Sequence, residues 1–356
     1  MTDMRDVMLQ TLDRIAEDTL TPAVRDDAER SMRRSDVVAG ELCRPLWSAL
    51  GEAGFFALGG TGGDDDVDFA DAMALVRRAA YHALPLPMGE TIIGRWLSSR
   101  AGLAAPEGAI GLATSPGPAR LAGVASLADA DYVTFTEGAT AGSVLVAGLG
   151  ERGQQLGLLR LLDTTIEVHA NIAGEGRSGC RIGPVQYERM LAVDAPNAAA
   201  DLYASGALLR SVQMAGALER VLDHCLLWAN DRVQFGRPIA KFQAIQHQIA
   251  VLASEAAAAG AAADLAIEAS AEGPDSFAIA IAKSRAGEAA GKAANIAHAV
   301  FGAMGFTREH ELHYTTRRLW AWRNEFGSEV YWQAAIGRRV AESGGRKLWP
   351  MLNGEL

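Results

Sequence analysis

The chain has 356 residues, 49% hydrophobic and 21% charged, with 38 Gly and 12 Pro. At roughly 100–200 residues per domain, that length predicts two or three lobes around sizeable cores. Thirty-three Lys and Arg against 43 Asp and Glu leave a net charge of −10, which argues against a nucleic-acid partner, because phosphate binding needs clustered basic surface. Cys43, Cys180 and Cys225 are too few and too scattered for a disulfide framework. No apolar run is expected to reach the roughly 20 residues of a membrane span, and the charged opening MTDMRDVMLQTLDRIAED does not read as a signal peptide. The expectation is a soluble cytoplasmic protein with neither nucleic-acid nor membrane partners.

Residues 1–105 read as helices. DVMLQTLDRIAEDTL, RPLWSALGEAGFFAL and ADAMALVRRAAYHAL place apolar residues three to four apart. Between the last two, GGTGGDDDVDF cannot hold a helix and reads as a loop. Residues 106–195 change character. DYVTFTE, GSVLVAG, LGLLRLL and TIEVHANI are short runs rich in Val, Ile, Leu and Thr, bounded by turn residues, and they predict a small β domain. Residues 196–356 return to long helices: one from Ala200 to Asp231, a break FGRPIAKF, a second from Phe242 to Ala269, a third from Asp275 to Gly305, and a shorter pair from Glu309 to Arg346. Long helices joined by short breaks describe a four-helix bundle. The fold class is mainly α with a small β domain.

Three local signals are set aside. GLGERG, Gly148 to Gly153, has the spacing of a dinucleotide fingerprint, with Glu167 further on, but QQLGLLRLL after it offers no helix to hold a pyrophosphate, so a hairpin turn is preferred. His310 and His313 are spaced to share a helix face yet lack a third ligand. His224 and Cys225 are adjacent and diverge by about 100° on a helix. All four read as ordinary helix residues, and no metal site is expected.

The informative stretch is DRVQFGRPIAKFQAIQHQIA, Asp231 to Ala250. Its Arg232, Phe235, Gly236, Ile239, Phe242 and Gln243 match, at fixed spacing, a signature of the acyl-CoA dehydrogenase family, which the chain resembles. GAMGFTREHELH, from Gly302, is similar to the family's glycine-rich segment at the end of the third bundle helix. The resemblance covers the whole chain, strongly after residue 200, and implies an N-terminal helical domain, a β-barrel-like middle domain and a C-terminal bundle. It also implies FAD between the β domain and a bundle, an acyl-CoA substrate dehydrogenated at its α and β carbons, and a separate electron-transfer acceptor protein. A planar permanent cation suits a diphosphate, so Arg232 is the candidate there. Phe235 is the candidate surface for adenine; Gln234 and Gln243 are candidate hydrogen-bonding groups, and Gly236, Gly302 and Ser328 complete the cofactor-binding set. The competing reading has Arg232 and Gln243 capping helix ends and Phe235 filling core.

The chain departs from the family where chemistry is done. Counting seventeen residues from Glu309, or back from Arg338–Arg339, places Phe326 where the family carries its catalytic glutamate, with Gly327 and Ser328 matching the Gly-Thr after it. The alternative family position for the base, before an arginine on the first bundle helix, is Leu209, followed by Arg210, the candidate substrate-side cation. Glu325 is the nearest carboxylate and the one candidate base. Ala299 and Ala303 stand where the family has Gln and Gly, and ATSPGPARLAG, Ala113 to Gly123, is a reduced form of the flavin-contacting middle-domain pattern. This combination, with the aromatic run RRLWAWRNEFGSEVYW, resembles the less catalytic chain of heteromeric dehydrogenases that act on bulky thioesters such as steroid side-chain CoA esters. Trp320, Trp322 and Trp332 in that run are taken first as packing residues. The leading expectation is a chain that helps form an FAD site, in a tetramer with an unlike family chain that supplies the base. The alternatives are a self-sufficient homotetramer using Glu325, and a structural or regulatory subunit without FAD.

Overall fold

The computed structural model describes residues 4–31, 43–59, 67–104, 108–120, 131–136, 142–150, 152–161, 164–188 and 190–352. Five helices come first: α1 (Met4–Thr19), α2 (Pro22–Ser31), α3 (Arg44–Glu52), α4 (Phe69–Tyr81) and α5 (Met88–Arg100). The apolar periodicity locates α1, α3 and α4. It misses α2, which is mostly polar, and α5, which is buried nearly all round and so has no polar face to set a period. Residues 60–66 of the predicted loop lie outside the described residues. Asp68 ends that loop by accepting a hydrogen bond from the Asp71 N–H, which caps α4.

Eight strands follow: β1 (Ile110–Leu112), β2 (Ala119–Arg120), β3 (Tyr132–Thr136), β4 (Ser143–Gly150), β5 (Gly153–Arg160), β6 (Glu167–Ala170), β7 (Gly176–Arg181) and, after the short α6 (Pro184–Glu188), β8 (Leu191–Asp194). One sheet runs β1-β4-β5-β8 with β2 also on β4, and the other runs β3-β7-β6. An isolated bridge, Ala113 to Phe135, ties the two together, and their inward faces share one core (Leu112, Phe135, Leu145, Leu158) with the neighbouring helices. The Gly148–Gly153 stretch forms the β4–β5 hairpin, with Gly150 opposite Gly153; no helix follows, so the dinucleotide-fingerprint spacing has no structural meaning.

The bundle is α7 (Ala198–Asp231), the two-stranded ribbon β9 (Val233–Gln234) and β10 (Arg237–Pro238), α8 (Gln243–Ala269), α9 (Ser276–Phe301), α10 (Leu312–Asn324), α11 (Glu329–Glu342) and the short α12 (Leu348–Leu352). From Ala198 to Leu218 α7 is almost continuously buried. Gly216 lies so near the Arg77 carbonyl of α4 that no side chain would fit there, which lets α4 pack flush on the bundle. Asp275, just after Gly273 and Pro274, caps α9 through the Phe277 and Ala278 N–H groups. Contrary to the sequence expectation, α8 is long and apolar enough, by length and composition, to cross a membrane. Its alanine content explains this: Ala256, Ala259, Ala263 and Ala266 are buried against neighbouring helices, and small residues let those helices approach closely.

Candidate functional site

The residues singled out from sequence fall at two places set by α7. Arg210 lies near its middle and Arg232 just past its C-terminus, about 33 Å apart at the helical rise of 1.5 Å per residue.

At the far end, β9 and β10 form a hairpin in which Gln234 pairs with Arg237. The two loop residues, Phe235 and Gly236, have φ of 50° and 79°. Two left-handed residues in succession are what a tight hairpin of right-handed twist requires. Glycine adopts that conformation freely; phenylalanine does so at a cost of order 1 kcal/mol. The ring is nonetheless 93% exposed, so Phe235 does not fill core. Arg232, Gln234 and Gln243 are exposed beside it. The Arg232 guanidinium lies 5.9 Å from the Trp228 ring, and Arg237 stacks over Phe242 at 4.2 Å. No side chain caps the N-terminus of α8. Ile239, Ala229 and Val300 form a small core under the hairpin, which brings the end of α9 alongside. There Gly302 is exposed with φ of 62° and ψ of −143°, and Ala299 and Ala303 are exposed with it.

The other place is buried. The α10–α11 connection carries Glu325, Phe326 and Gly327, the last two with φ of 52° and 90°. The Phe326 ring fills the notch left by Gly206 on α7, where a methyl group would overlap it, and Tyr203 lies against its edge at 5.9 Å. Leu209, at the alternative base position, is fully buried. Glu325 points into a cluster of charges. Arg177 Nε donates to its Oε1 at 2.8 Å, Arg177 Nη2 and Arg210 Nε donate to its Oε2 at 2.8 Å each, and Asn171 Nδ2 donates at 3.0 Å. Arg210 also pairs with Glu90 at 2.7 Å. Glu175 accepts from Arg318, Trp322 and Arg177 at 3.1, 2.9 and 3.0 Å. Three arginines and three glutamates thus neutralise one another across α5, the β6–β7 turn, β7, α7, α10 and the connection. The cavity beside them holds about 20 Å³, room for about one water.

This geometry corrects two expectations. Burial pushes the Glu325 carboxyl up, but the Arg177 and Arg210 guanidiniums outweigh it and hold it at about 2. A carboxylate fixed by three guanidinium hydrogen bonds is a poor proton acceptor near neutral pH, and in this structure Glu325 serves as a clamp. Arg210 is fully buried and doubly paired, so it is no cation at an open substrate mouth. Ser328 caps α11 by accepting the Tyr331 N–H. Trp322 and Trp332 are buried and donate to Glu175 and to the Phe326 carbonyl, while Trp320 is partly exposed.

His310 precedes α10 and does not share a helix face with His313; its Nδ1 accepts the Leu312 N–H. Among the described residues no group of three His, Cys, Asp or Glu side chains could hold a metal ion. Burial, with nearby Arg220, drives the His224 pKa down to about 3, and burial drives the Cys225 thiol up to about 12. Of the reduced flavin-contacting pattern, residues 121–123 lie outside the described residues. Sequence reasoning missed Glu90, Asn171, Glu175, Arg177 and Arg318. The GEGR tetrapeptide at 174–177, opposite charges flanking a glycine, was the nearest available signal.

The family described as "Acyl-CoA dehydrogenase, C-terminal domain" matches residues 198–341. An acyl-CoA dehydrogenase IpdE2 of Mycolicibacterium smegmatis is 35% identical over 114 residues, covering 32% of this chain and 35% of that protein. The acyl-CoA dehydrogenase FadE34 of Mycobacterium tuberculosis is 28% identical over 327 residues, 83% of this chain and 43% of that one. The chain therefore spans well under half the length of these curated relatives. Among solved structures, the ChsE4–ChsE5 complex of Mycobacterium tuberculosis superposes with a TM-score of 0.78 at 21% identity, over 96% of this chain and 98% of that one. A steroid acyl-CoA dehydrogenase, Tcur3481–Tcur3483, gives 0.77 at 18% identity, over 96% and 98%. At such identities the structures speak for the fold, and the sequence of residues 198–341 matches the acyl-CoA dehydrogenase C-terminal domain.

Proposed function

We propose that this chain is a subunit of an FAD-dependent acyl-CoA dehydrogenase that grips a cofactor seated in a neighbouring subunit, while an unlike family chain supplies the base. The observation that carries the reading is Phe235: a strained turn holds an apolar ring 93% exposed, next to an exposed arginine and the uncapped N-terminus of a 27-residue helix. An isolated chain gains nothing from that arrangement, and strain of this kind collects where a ligand or partner repays it.

The hairpin end fits a dinucleotide. Arg232 offers two parallel N–H groups to a diphosphate, and the first amides of α8 add their dipole to the same charge. Phe235 offers a flat apolar face to adenine, and Gln234 and Gln243 offer amide donors and acceptors. Gly302, in a backbone region open essentially to glycine alone, lets the end of α9 come close to the same ligand. The Glu325 chamber does not fit an isoalloxazine beside an acyl thioester, because Phe326 and the six paired charges fill it. When bound, FAD supplies the hydride acceptor for α,β-dehydrogenation of an acyl-CoA; this chain's part is to hold the diphosphate and shield the adenine. Its two base positions, Phe326 and Leu209, cannot take a proton, and Glu325 is held by arginines, so the α proton leaves to a partner's carboxylate.

Association is supported by the surface around the hairpin. Leu227 and Val233 are 62% and 54% exposed, and a groove of about 350 Å³ runs between α7 and α8, lined by Leu222, Leu226, Ala240, Ile249 and Ala253 among others. A tetramer of two unlike chains, a bulky acyl-CoA and a separate electron-transfer protein complete the proposal. The test is co-expression with a candidate catalytic chain of the family and measurement of bound flavin by its absorbance near ~450 nm. Arg232→Ala should weaken flavin retention by roughly tenfold or more, the loss of a charge-assisted pair. Unchanged flavin in that variant defeats the hairpin assignment, and a colourless assembly with every tested partner favours the FAD-free structural reading.

A further inference from the structure

The outer side of α8 is an apolar helix face that no described part of the chain covers. Leu252, Ala256, Ala259 and Ala263 turn inward, yet only 39% of the helix's most apolar stretch is buried. The exposed side runs from His247 to Glu268, about 32 Å at the helical rise. Its middle consists of Ser254, Ala257, Ala258 and Ala261, side chains small enough for a second helix to come close. Beside Ala250 the apolar surface continues onto α7, where Leu222 and Leu226 line the shared groove.

The face also changes charge along its length. Its first part carries His247 and, just before the helix, Lys241; its last part carries Glu268 and, just after the helix, Glu272. Two other acids of α8 are already engaged within the chain. Glu255 is turned away and paired with Arg285 and, at 2.9 Å, with Lys292, and Asp264 at the edge of the face is held by Arg77 at 2.8 Å.

We propose that this face binds the same face of a second copy of the chain, the two α8 helices running antiparallel about a two-fold axis between Ala257 and Ala258. In that register Ser254 of one copy lies over Ala261 of the other, Leu265 over Ala250, and His247 against Glu268. The bulky apolar side chain meets a small one at each end, and the imidazole N–H meets a carboxylate. A parallel pairing would instead set Glu268 against Glu268 and Leu265 against Leu265. Because the face supplies both signs of charge itself, two copies satisfy each other, and the two-fold axis uses every contact twice. The contact supplies the like-chain half of the proposed tetramer, but it rests on α8 alone and stands whether or not the hairpin grips a cofactor.

Cross-linking of the full-length chain with a short bismaleimide reads the register, because Cys43, Cys180 and Cys225 are buried. Ala257→Cys, beside the axis, should give a covalent dimer. Glu268→Cys alone should not, since its two copies lie about 32 Å apart, whereas co-expressed His247→Cys and Glu268→Cys chains should couple to each other. In sedimentation the wild-type chain should run at twice its 37.6 kDa. Ala258→Glu, which sets two carboxylates at the axis from an exposed position, should run as a monomer with unchanged circular dichroism. Failure of Ala257→Cys to couple overturns the proposal, and so does self-coupling of Glu268→Cys, which marks another register. An Ala258→Glu chain that stays dimeric overturns it equally. Coupling of Ala257→Cys only to a co-expressed unlike chain, or flotation of the chain with phosphatidylcholine vesicles in place of coupling, gives the face to a different occupant and overturns it too.

Discussion

Arg210, near the middle of α7, and Arg232, just past its C-terminus, solve opposite problems with the same residue types. At Arg210 the guanidinium is wholly buried and every nearby charge has a partner. At Arg232 it stands in solvent beside an aromatic ring that a strained turn keeps exposed. Buried ion clusters contribute little net stability over apolar packing, but they penalise the loss of any one member heavily. Exposed cations and rings contribute almost nothing to the isolated chain. One place is therefore where the molecule holds itself together, and the other is where it meets something else.

That contrast can be broken most sharply at Arg210. Arg210→Ala leaves Glu90 and Glu325 facing each other without their shared cation and should cost about 3–5 kcal/mol in urea unfolding. A loss near zero would mean that the cluster is hydrated and the chamber open. Gly206→Ala drives a methyl group into the Phe326 ring and should cost about 1–3 kcal/mol; a neutral result would show that the ring can leave its notch. The smallest effect has the opposite sign. Phe235→Gly relieves the left-handed strain and should stabilise the isolated chain by up to about 1 kcal/mol, while lowering flavin retention in the assembled enzyme. Destabilisation by that change would make Phe235 a structural residue and weaken the reading of the hairpin as a binding element.

Local pattern served where the relevant contacts are local. The six matched residues from Arg232 to Gln243 lie within one turn and the start of one helix, so their spacing located the break between the two long helices, while the hairpin and the exposure of Phe235 appear only in the structure. The short runs rich in Val, Leu and Thr in β3 to β6 and the long bundle periodicities were legible for the same reason. Strands β7 and β8 were not: GRSGCR and LAVD are short and mixed, and they are strands because of what they pair with.

Glu325 marks the limit. Its neighbours in sequence describe an acid one residue from the expected base, and nothing local distinguishes a poised carboxylate from a clamped one. Its fate is decided by Arg210 and Arg177, 115 and 148 residues away. Spacing along a chain carries side-chain direction only within an element, whereas a carboxyl's basicity depends on the charges and solvent within a few ångströms of it. The sequence by itself therefore determined most of the order of helices and strands, the resemblance of the bundle, and the position of the break between α7 and α8. Only the tertiary structure decided that Glu325 is locked and that Arg210 is internal.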